Sequence, residues 1–217
     1  MHPRVVQPEL LDLLPPEHPA ARHSRRDLRL TNRIMGNHRW LAAALRAQVR
    51  PGERVLELGA GTGELALGLA RRGVAVDGLD RCPAPAGWPG HARWHRADLR
   101  TFAGWRDYDV VCGNLIFHQF PAGELFDLGT KIHLHARLLV ACEPARWRRS
   151  RWLFGLLAPA FGASHVTRHD GRVSIAAGFL DDELPQLLGL DPARWAWHRT
   201  TTRLGAYQLV AWRREAS

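Results

Sequence analysis

The stretch Val55-Leu56-Glu57-Leu58-Gly59-Ala60-Gly61-Thr62-Gly63 decides how the rest of the chain is read. Arg54–Leu58 is a short apolar strand, glycines follow at alternate positions, and Glu64–Arg72 then carries a helical pattern. A strand, a glycine turn and a helix start make a nucleotide cradle. Glycine lets the backbone approach a ligand closely, and a helix N-terminus presents free N–H groups. The pattern is E-x-G-x-G-x-G, with Glu57 two positions before Gly59, and it departs from the G-x-G-x-x-G spacing of dinucleotide enzymes.

Working outward, Ser24–Met35 reads as a helix, with Ser24 as its cap and Asp27 in its first turn, ended by Gly36-Asn37. A second helix over His38–Val49 places Trp40, Leu41, Ala44, Leu45 and Val49 on one apolar face, and Pro51-Gly52 breaks the chain before the strand. Downstream, strands are expected at Val74–Leu79, Asp109–Gly113 (leading into Asn114–Phe120) and Leu138–Glu143. Helices are expected at Gly123–Arg137, Arg146–Leu157 and Asp181–Leu188. The chain ends in two strands, Arg194–Thr200 and Ala206–Trp212. Alternation followed by a strand pair argues for a mostly parallel sheet with one antiparallel edge, which places a ligand at the carboxyl ends of the strands.

The glycine stretch closely resembles the first motif of class I S-adenosylmethionine-dependent methyltransferases. Val74-Ala75-Val76-Asp77-Gly78-Leu79-Asp80 continues the resemblance as a second strand ending in an acid. Asp80 stands about 20 residues beyond the turn, where an acid accepts hydrogen bonds from ribose hydroxyls. Ala97-Asp98-Leu99 is similar to the family's third element, whose aspartate binds the adenine amino group. Taken alone, Asp80 or Asp98 reads equally well as a turn residue. The resemblance implies a Rossmann-like α/β fold: a seven-stranded, mostly parallel sheet with helices on both faces. Residues 1–50 would form an N-terminal helical lid on a 51–217 methyltransferase domain, the two making one structural unit. It also implies S-adenosylmethionine as cofactor, held by Glu57, Gly59, Ala60, Gly61, Gly63, Asp80, Arg81, Asp98, Leu99, Asn114 and Leu115.

Methyl transfer from a sulfonium is an in-line displacement, in which alignment of the reactants is worth roughly 7–11 kcal/mol. A protein base is needed only when the nucleophile must lose a proton. Asn114-Leu115-Ile116-Phe117-His118-Gln119-Phe120 is similar to the strand-four ends of ubiquinone/menaquinone-type C-methyltransferases, which often read N-x-x-x-H-H; here Gln119 replaces the second histidine. His118 is the first candidate for a base or a substrate-orienting group, the alternative being a capping or cofactor-packing histidine. Glu143, before Pro144, either faces the same pocket or serves local hydrogen bonding. The chain also resembles a bacterial small-molecule subgroup with a T-R-H-D run (Thr167–Asp170 here), a Ser-Arg-Arg-Asp-Leu element (Ser24–Leu28) and a C-E-P strand end (Cys142–Pro144). Genes of that subgroup accompany type III polyketide synthases, which implies a phenolic or polyketide-derived acceptor methylated at oxygen or carbon. His169 and Asp170 offer a base with a carboxylate nearby, against the alternative of a polar loop with a turn at Asp170-Gly171. Arg29 and Asn32 share a helix face and would reach the cofactor carboxylate or an acceptor, against the alternative of a solvated face. Gln119 and Arg168 complete the candidate acceptor site.

Composition sets the remaining bounds. At 217 residues, 46% hydrophobic and 24% charged, the chain suits one globular domain. No run approaches the roughly 20 apolar residues of a membrane span, and the start lacks a signal peptide's apolar run. A cytoplasmic protein with no membrane partner is expected. Cys112 and Cys142 sit in apolar runs, as small buried hydrophobes do, and no CxxC pair is present. His133 and His135 diverge on their helix and no ligand set has metal spacing, so no metal is expected. The net charge of +9 and the run Trp147-Arg148-Arg149-Ser150-Arg151-Trp152 favour an RNA or protein methyltransferase as the competing reading. Against a nucleic-acid partner, the strand-four exit lacks an N-P-P-Y or D-P-P-Y tetrapeptide and no RNA-binding domain is appended. A third reading is a protein that binds the cofactor without turnover.

Overall fold

The computed structural model describes residues 3–15 and 17–215. Residues 1, 2 and 16 of the expected lid, and 216 and 217 at the far end, lie outside the described residues. The elements in chain order are α1 (Leu10–Leu13), α2 (Pro19–Met35), α3 (Asn37–Gln48), β1 (Val55–Leu58), α4 (Glu64–Ala70), β2 (Val76–Asp80), β3 (Trp94–Arg96), β4 (Val110–Asn114), α5 (Ala122–His135), β5 (Leu138–Pro144), α6 (Arg148–Ala160), α7 (His165–Ala177), α8 (Glu183–Leu187), β6 (Trp195–Thr201) and β7 (Ala206–Arg213). A 3-10 turn at Phe117–Gln119 follows β4.

The seven strands lie in the order β3-β2-β1-β4-β5-β7-β6. The first five pair in parallel, and β7 joins β5 and β6 antiparallel. The fold is thus the Rossmann-like arrangement expected, with its order reversing between β1 and β4, the point where such sheets open a ligand crevice. Register follows from alternation: Val55 pairs with Val76 and Val110, and Leu56 with Val111. Val55, Val110 and Val140 pack on one face with Leu41, Leu45 and Leu69; Leu56, Leu58 and Leu139 pack on the other with Leu125, Leu128 and Ile132. Each such buried side chain contributes roughly 1.5–3 kcal/mol. Cys112 and Cys142 are free and buried in this sheet. Among the described residues no helix is long and apolar enough to cross a membrane.

Three local readings change. Strand β3 has only three residues and no alternating pattern; it exists because its Trp94 ring seats over Gly78, where a Cβ would lie 2.6 Å from the ring. Helix α2 begins five residues before Ser24, since Pro19 suits a first helical turn and His18 Nδ1 accepts from the Ala20 N–H (3.2 Å). Ser24 and Asp27 therefore lie buried inside the helix instead of capping it. The T-R-H-D run is helical and not a turn at Asp170-Gly171: Ser164 caps α7 by accepting from the Thr167 N–H (3.1 Å). Gly171 sits in mid-helix because a Cβ there would meet the Phe154 ring at 2.1 Å. Leu41 and Leu45 of α3 belong to the core, and α1, α2 and His38 of α3 border a cavity.

Candidate functional site

The carboxyl ends of β1, β2 and β4 open into a cavity of about 1140 Å³. That exceeds the roughly 300–1,000 Å³ of a site for one drug-sized ligand. The glycine turn forms its floor. Gly59 has φ +63°, and a Cβ there would lie 2.6 Å from Ile116 Cδ1; Gly63 has φ +70°, and a Cβ would strike the Trp88 ring at 2.7 Å. The Gly59 and Ala60 N–H groups donate to Leu79 O (2.9 and 3.2 Å), which ties the turn to β2. Asp80, ending β2, accepts from the Gly61 N–H (2.9 Å) and the Cys82 N–H (2.8 Å). Glu57 borders the cavity from below; its Oε2 is buried without a partner, and burial pushes its carboxyl up to about 8. Asp98 accepts from the Arg100 N–H (2.8 Å) and pairs with the Arg100 guanidinium, with Leu99 and Arg81 on the same wall. Gly63 sits behind the lining, against Trp88.

At the exit of β4 the backbone is forced. Leu115 takes φ +58°, a left-handed conformation that costs a branched residue roughly 1–3 kcal/mol. Two anchors hold it. The Leu115 N–H donates to Cys142 O (2.8 Å), and Glu143 gathers the residues that follow. Glu143 is fully buried: Oε1 accepts from the Ile116 and Phe117 N–H groups (2.9 Å each), and Oε2 from the His118 N–H (3.2 Å). Asn114 Nδ2 meets Asn32 Oδ1 (3.1 Å) and His38 Nε2 (3.2 Å), while Asn114 Oδ1 is buried without a partner. Burial lowers His38 below the usual histidine range, keeping it a neutral acceptor. Sequence reasoning named Asn32 and Asn114 but passed over His38, which has no motif around it.

His118 lies between two carboxylates. Its Nδ1 is 2.7 Å from Glu143 Oε2 and its Nε2 is 3.2 Å from Glu9 Oε1. Burial disfavours the charged ring, but the hydrogen bonds and charges of Glu143 and Glu9 outweigh it and raise His118 to about 9. The ring is therefore an imidazolium at neutral pH, donating from both nitrogens. Glu9 Oε1 also accepts from Ser174 Oγ, and burial of Glu9 is outweighed by His118, so its carboxyl sits below the usual range. Glu9 borders the cavity. The segment bearing it is strapped down by Arg4, which donates to His118 O and Phe120 O (2.8 Å each) and to Ala177 O (2.7 Å). Sequence reasoning missed Glu9 altogether.

The remaining candidates separate. Asp170 borders the cavity but holds α1, accepting from the Leu10 and Leu11 N–H groups (2.7 and 3.0 Å). His169 donates to that same carboxylate (3.0 Å) from a half-exposed position off the cavity. Arg168 is also off the cavity, its Nε buried without a partner. Arg29 borders it and pairs with Glu64 (3.5 Å), and Gln119 lines it beside His118. Leu153, Phe154 and Leu157 of α6, with Leu28 and Ile175, add an apolar lining to the same cavity. Among the described residues no group of three His, Cys, Asp or Glu side chains is placed to hold a metal ion.

No protein-family model and no curated protein sequence matches the chain. Solved structures do resemble it. The plantazolicin methyltransferase BpumL in complex with SAH is 12% identical over 92% of each chain, with a TM-score of 0.68. The magnesium protoporphyrin IX methyltransferase ChlM from Synechocystis PCC 6803, with bound SAH, is 18% identical over 83% of this chain and 84% of that one, with a TM-score of 0.55. A protein described under conversion of a disulfide bond into a thioacetal group during echinomycin biosynthesis is 24% identical over 80% of each chain, with a TM-score of 0.56. At these identities the likeness is one of fold.

Proposed function

We propose that this chain is an S-adenosylmethionine-dependent methyltransferase acting on a small molecule, a phenolic or polyketide-derived acceptor methylated at oxygen or carbon. One observation carries the reading: one cavity is lined both by the glycine turn and Asp80 and by Glu9, His118 and a set of apolar side chains. The SAH-bound structures of the same fold support the choice of cofactor. So do the residues themselves. Asp80 and Asp98 offer carboxylates to a ribose and an adenine amino group, and the partnerless Asn114 Oδ1, buried on the cavity wall, awaits a donor. Gly59 and Gly61 leave room for close backbone approach, with Ala60, Leu99 and Leu115 packing around the ligand and Arg81 at its edge. When bound, the cofactor supplies an electrophilic methyl group and departs as S-adenosylhomocysteine.

The chain's own residues would align the acceptor. His118 has both nitrogens engaged and acts by holding Glu9. Glu9 Oε2 accepts no hydrogen bond among the described residues and is the group we assign to hydrogen-bond the acceptor; held below the usual carboxylate range, it is a weak base and acts through alignment. Glu143 sits beneath both, orienting His118. Asp170 and His169 secure α1, and with it the segment that carries Glu9. Arg29, Asn32 and Gln119 line the approach.

Calorimetric titration with S-adenosylmethionine and S-adenosylhomocysteine, alongside an Asp80→Ala variant checked by thermal melting, tests the cofactor. Micromolar binding, about −8 kcal/mol, lost in a folded variant is expected. No binding by the wild type refutes the reading. Binding without methyl transfer to a panel of phenols would favour the non-catalytic alternative.

A further inference from the structure

Among the described residues twelve large hydrophobic side chains are exposed, and half of them, Leu13, Leu30, Ile34, Leu157, Phe161 and Leu204, line the same cavity. A lining residue that still meets solvent lies at the opening, so these six make an apolar rim. Two more, Trp152 (67% exposed) and Leu156 (58%), stand on the outer face of α6 next to Leu157. Large exposed apolar patches on a soluble surface mark an interaction site.

The exposed faces of α2 and α6 carry charge of one sign, although Asp12 and Glu17, ahead of α2, are also exposed at the opening. Exposed Arg22, Arg26, Arg29 and Arg33 of α2 follow one another by four, three and four residues, a single stripe beside Leu30 and Ile34. Arg148, Arg149 and Arg151 are exposed at the start of α6, ahead of Trp152. Neither helix exposes a carboxylate, since α6 has none and Asp27 of α2 is buried. Arginines beside tryptophan and leucine are the composition of helices that lie in a bilayer interface, arginine on the headgroups and apolar side chains below them. Two copies meeting through this face would oppose arginine to arginine. A nucleic acid would meet the charge but find leucine and isoleucine where stacking groups belong.

We propose that the cavity's rim, formed by α2 and α6, docks on the anionic headgroup layer of a lipid bilayer. This is a peripheral contact, not a span, and it departs from the sequence expectation of no membrane partner. It has a consequence that rests on the methyl-transfer reading: the acceptor enters from the acyl layer and is itself lipophilic.

Flotation of the full chain with vesicles tests the docking without any acceptor. Binding to vesicles of phosphatidylcholine mixed with phosphatidylglycerol at low salt, weaker at high salt and absent with phosphatidylcholine alone, is expected. Arg148→Gln/Arg149→Gln/Arg151→Gln should weaken it roughly a hundredfold, at about one order of magnitude or less per arginine. Trp152→Ser/Leu156→Ser should cost at least roughly tenfold through lost apolar insertion, with an unchanged melting curve. No flotation overturns the proposal, as does equal binding to both vesicle types. Binding that survives the Trp152→Ser/Leu156→Ser change and is competed by RNA identifies a general polyanion surface instead, and overturns it too. If docking holds but S-adenosylhomocysteine does not bind, the methyl-transfer reading alone has failed.

Discussion

Replacing Glu143 by glutamine keeps the shape of the side chain and removes the charge that organises the β4 exit. The carbonyl of the new amide can keep the Ile116 and Phe117 N–H bonds, but its NH₂ then faces the His118 N–H and Nδ1. A buried N–H left without an acceptor costs about 1–3 kcal/mol. The charge contribution follows from His118, raised from 6.5 to about 9 by Glu143 and Glu9 together. At about 1.4 kcal/mol per pH unit that shift is about 3 kcal/mol, held by the two carboxylates together after burial has opposed them. Loss of Glu143 removes part of it, and with the unpaired N–H the total is about 2–5 kcal/mol, or a fall in melting temperature of about 5–15 °C for a chain of this size. The pH profile separates this account from simple loss of packing. Because His118 is raised in the folded protein, its contribution is complete below about pH 6.5 and is lost as pH rises through about 9. Wild-type stability should therefore decline over that window, and Glu143→Gln should flatten the decline. Urea denaturation across that pH range measures both. A variant that melts within about 2 °C of wild type, with an unchanged pH profile, would refute the reasoning.

Two further substitutions probe the rest of the site. Gly59→Ala places a Cβ at φ +63° and 2.6 Å from Ile116 Cδ1. It should cost about 2–4 kcal/mol and weaken S-adenosylhomocysteine at least roughly tenfold by calorimetry, whereas unchanged affinity would remove the glycine turn from the cofactor site. Asp170→Asn turns an amide toward the Leu10 and Leu11 N–H groups. It should cost about 1 kcal/mol and speed limited proteolysis ahead of α2, and equal cleavage rates would show that Asp170 does not hold α1.

The glycine-turn half of the cavity was legible because it is local. Glu57, the three glycines and Asp80 belong to one strand-turn-helix-strand passage, where spacing alone brings the groups together. The half around His118 was not. Glu9 and His118 stand 109 residues apart in the chain, and no periodicity pairs them. His169 and Asp170 illustrate the opposite failure. As neighbours they look like a base and its carboxylate, but on helix α7 the carboxylate is taken up by α1 and the imidazole stands half-exposed, off the cavity. Glu143 read equally well as a pocket acid or a local acceptor until β4 and β5 lay side by side.

Alternating apolar residues, glycine spacing and the order of strands and helices were enough by themselves to determine an α/β sheet with a glycine turn after its first strand, because those signals act over a few residues. What only the tertiary structure decided was where distant segments meet. It set His118 between carboxylates from the end of β5 and the amino-terminal segment, whose hydrogen bonds and charges favour the imidazolium against the effect of burial. It also turned two arginine-bearing helices into the rim of one cavity. Both outcomes depend on charges brought together by folding, which a linear pattern does not encode.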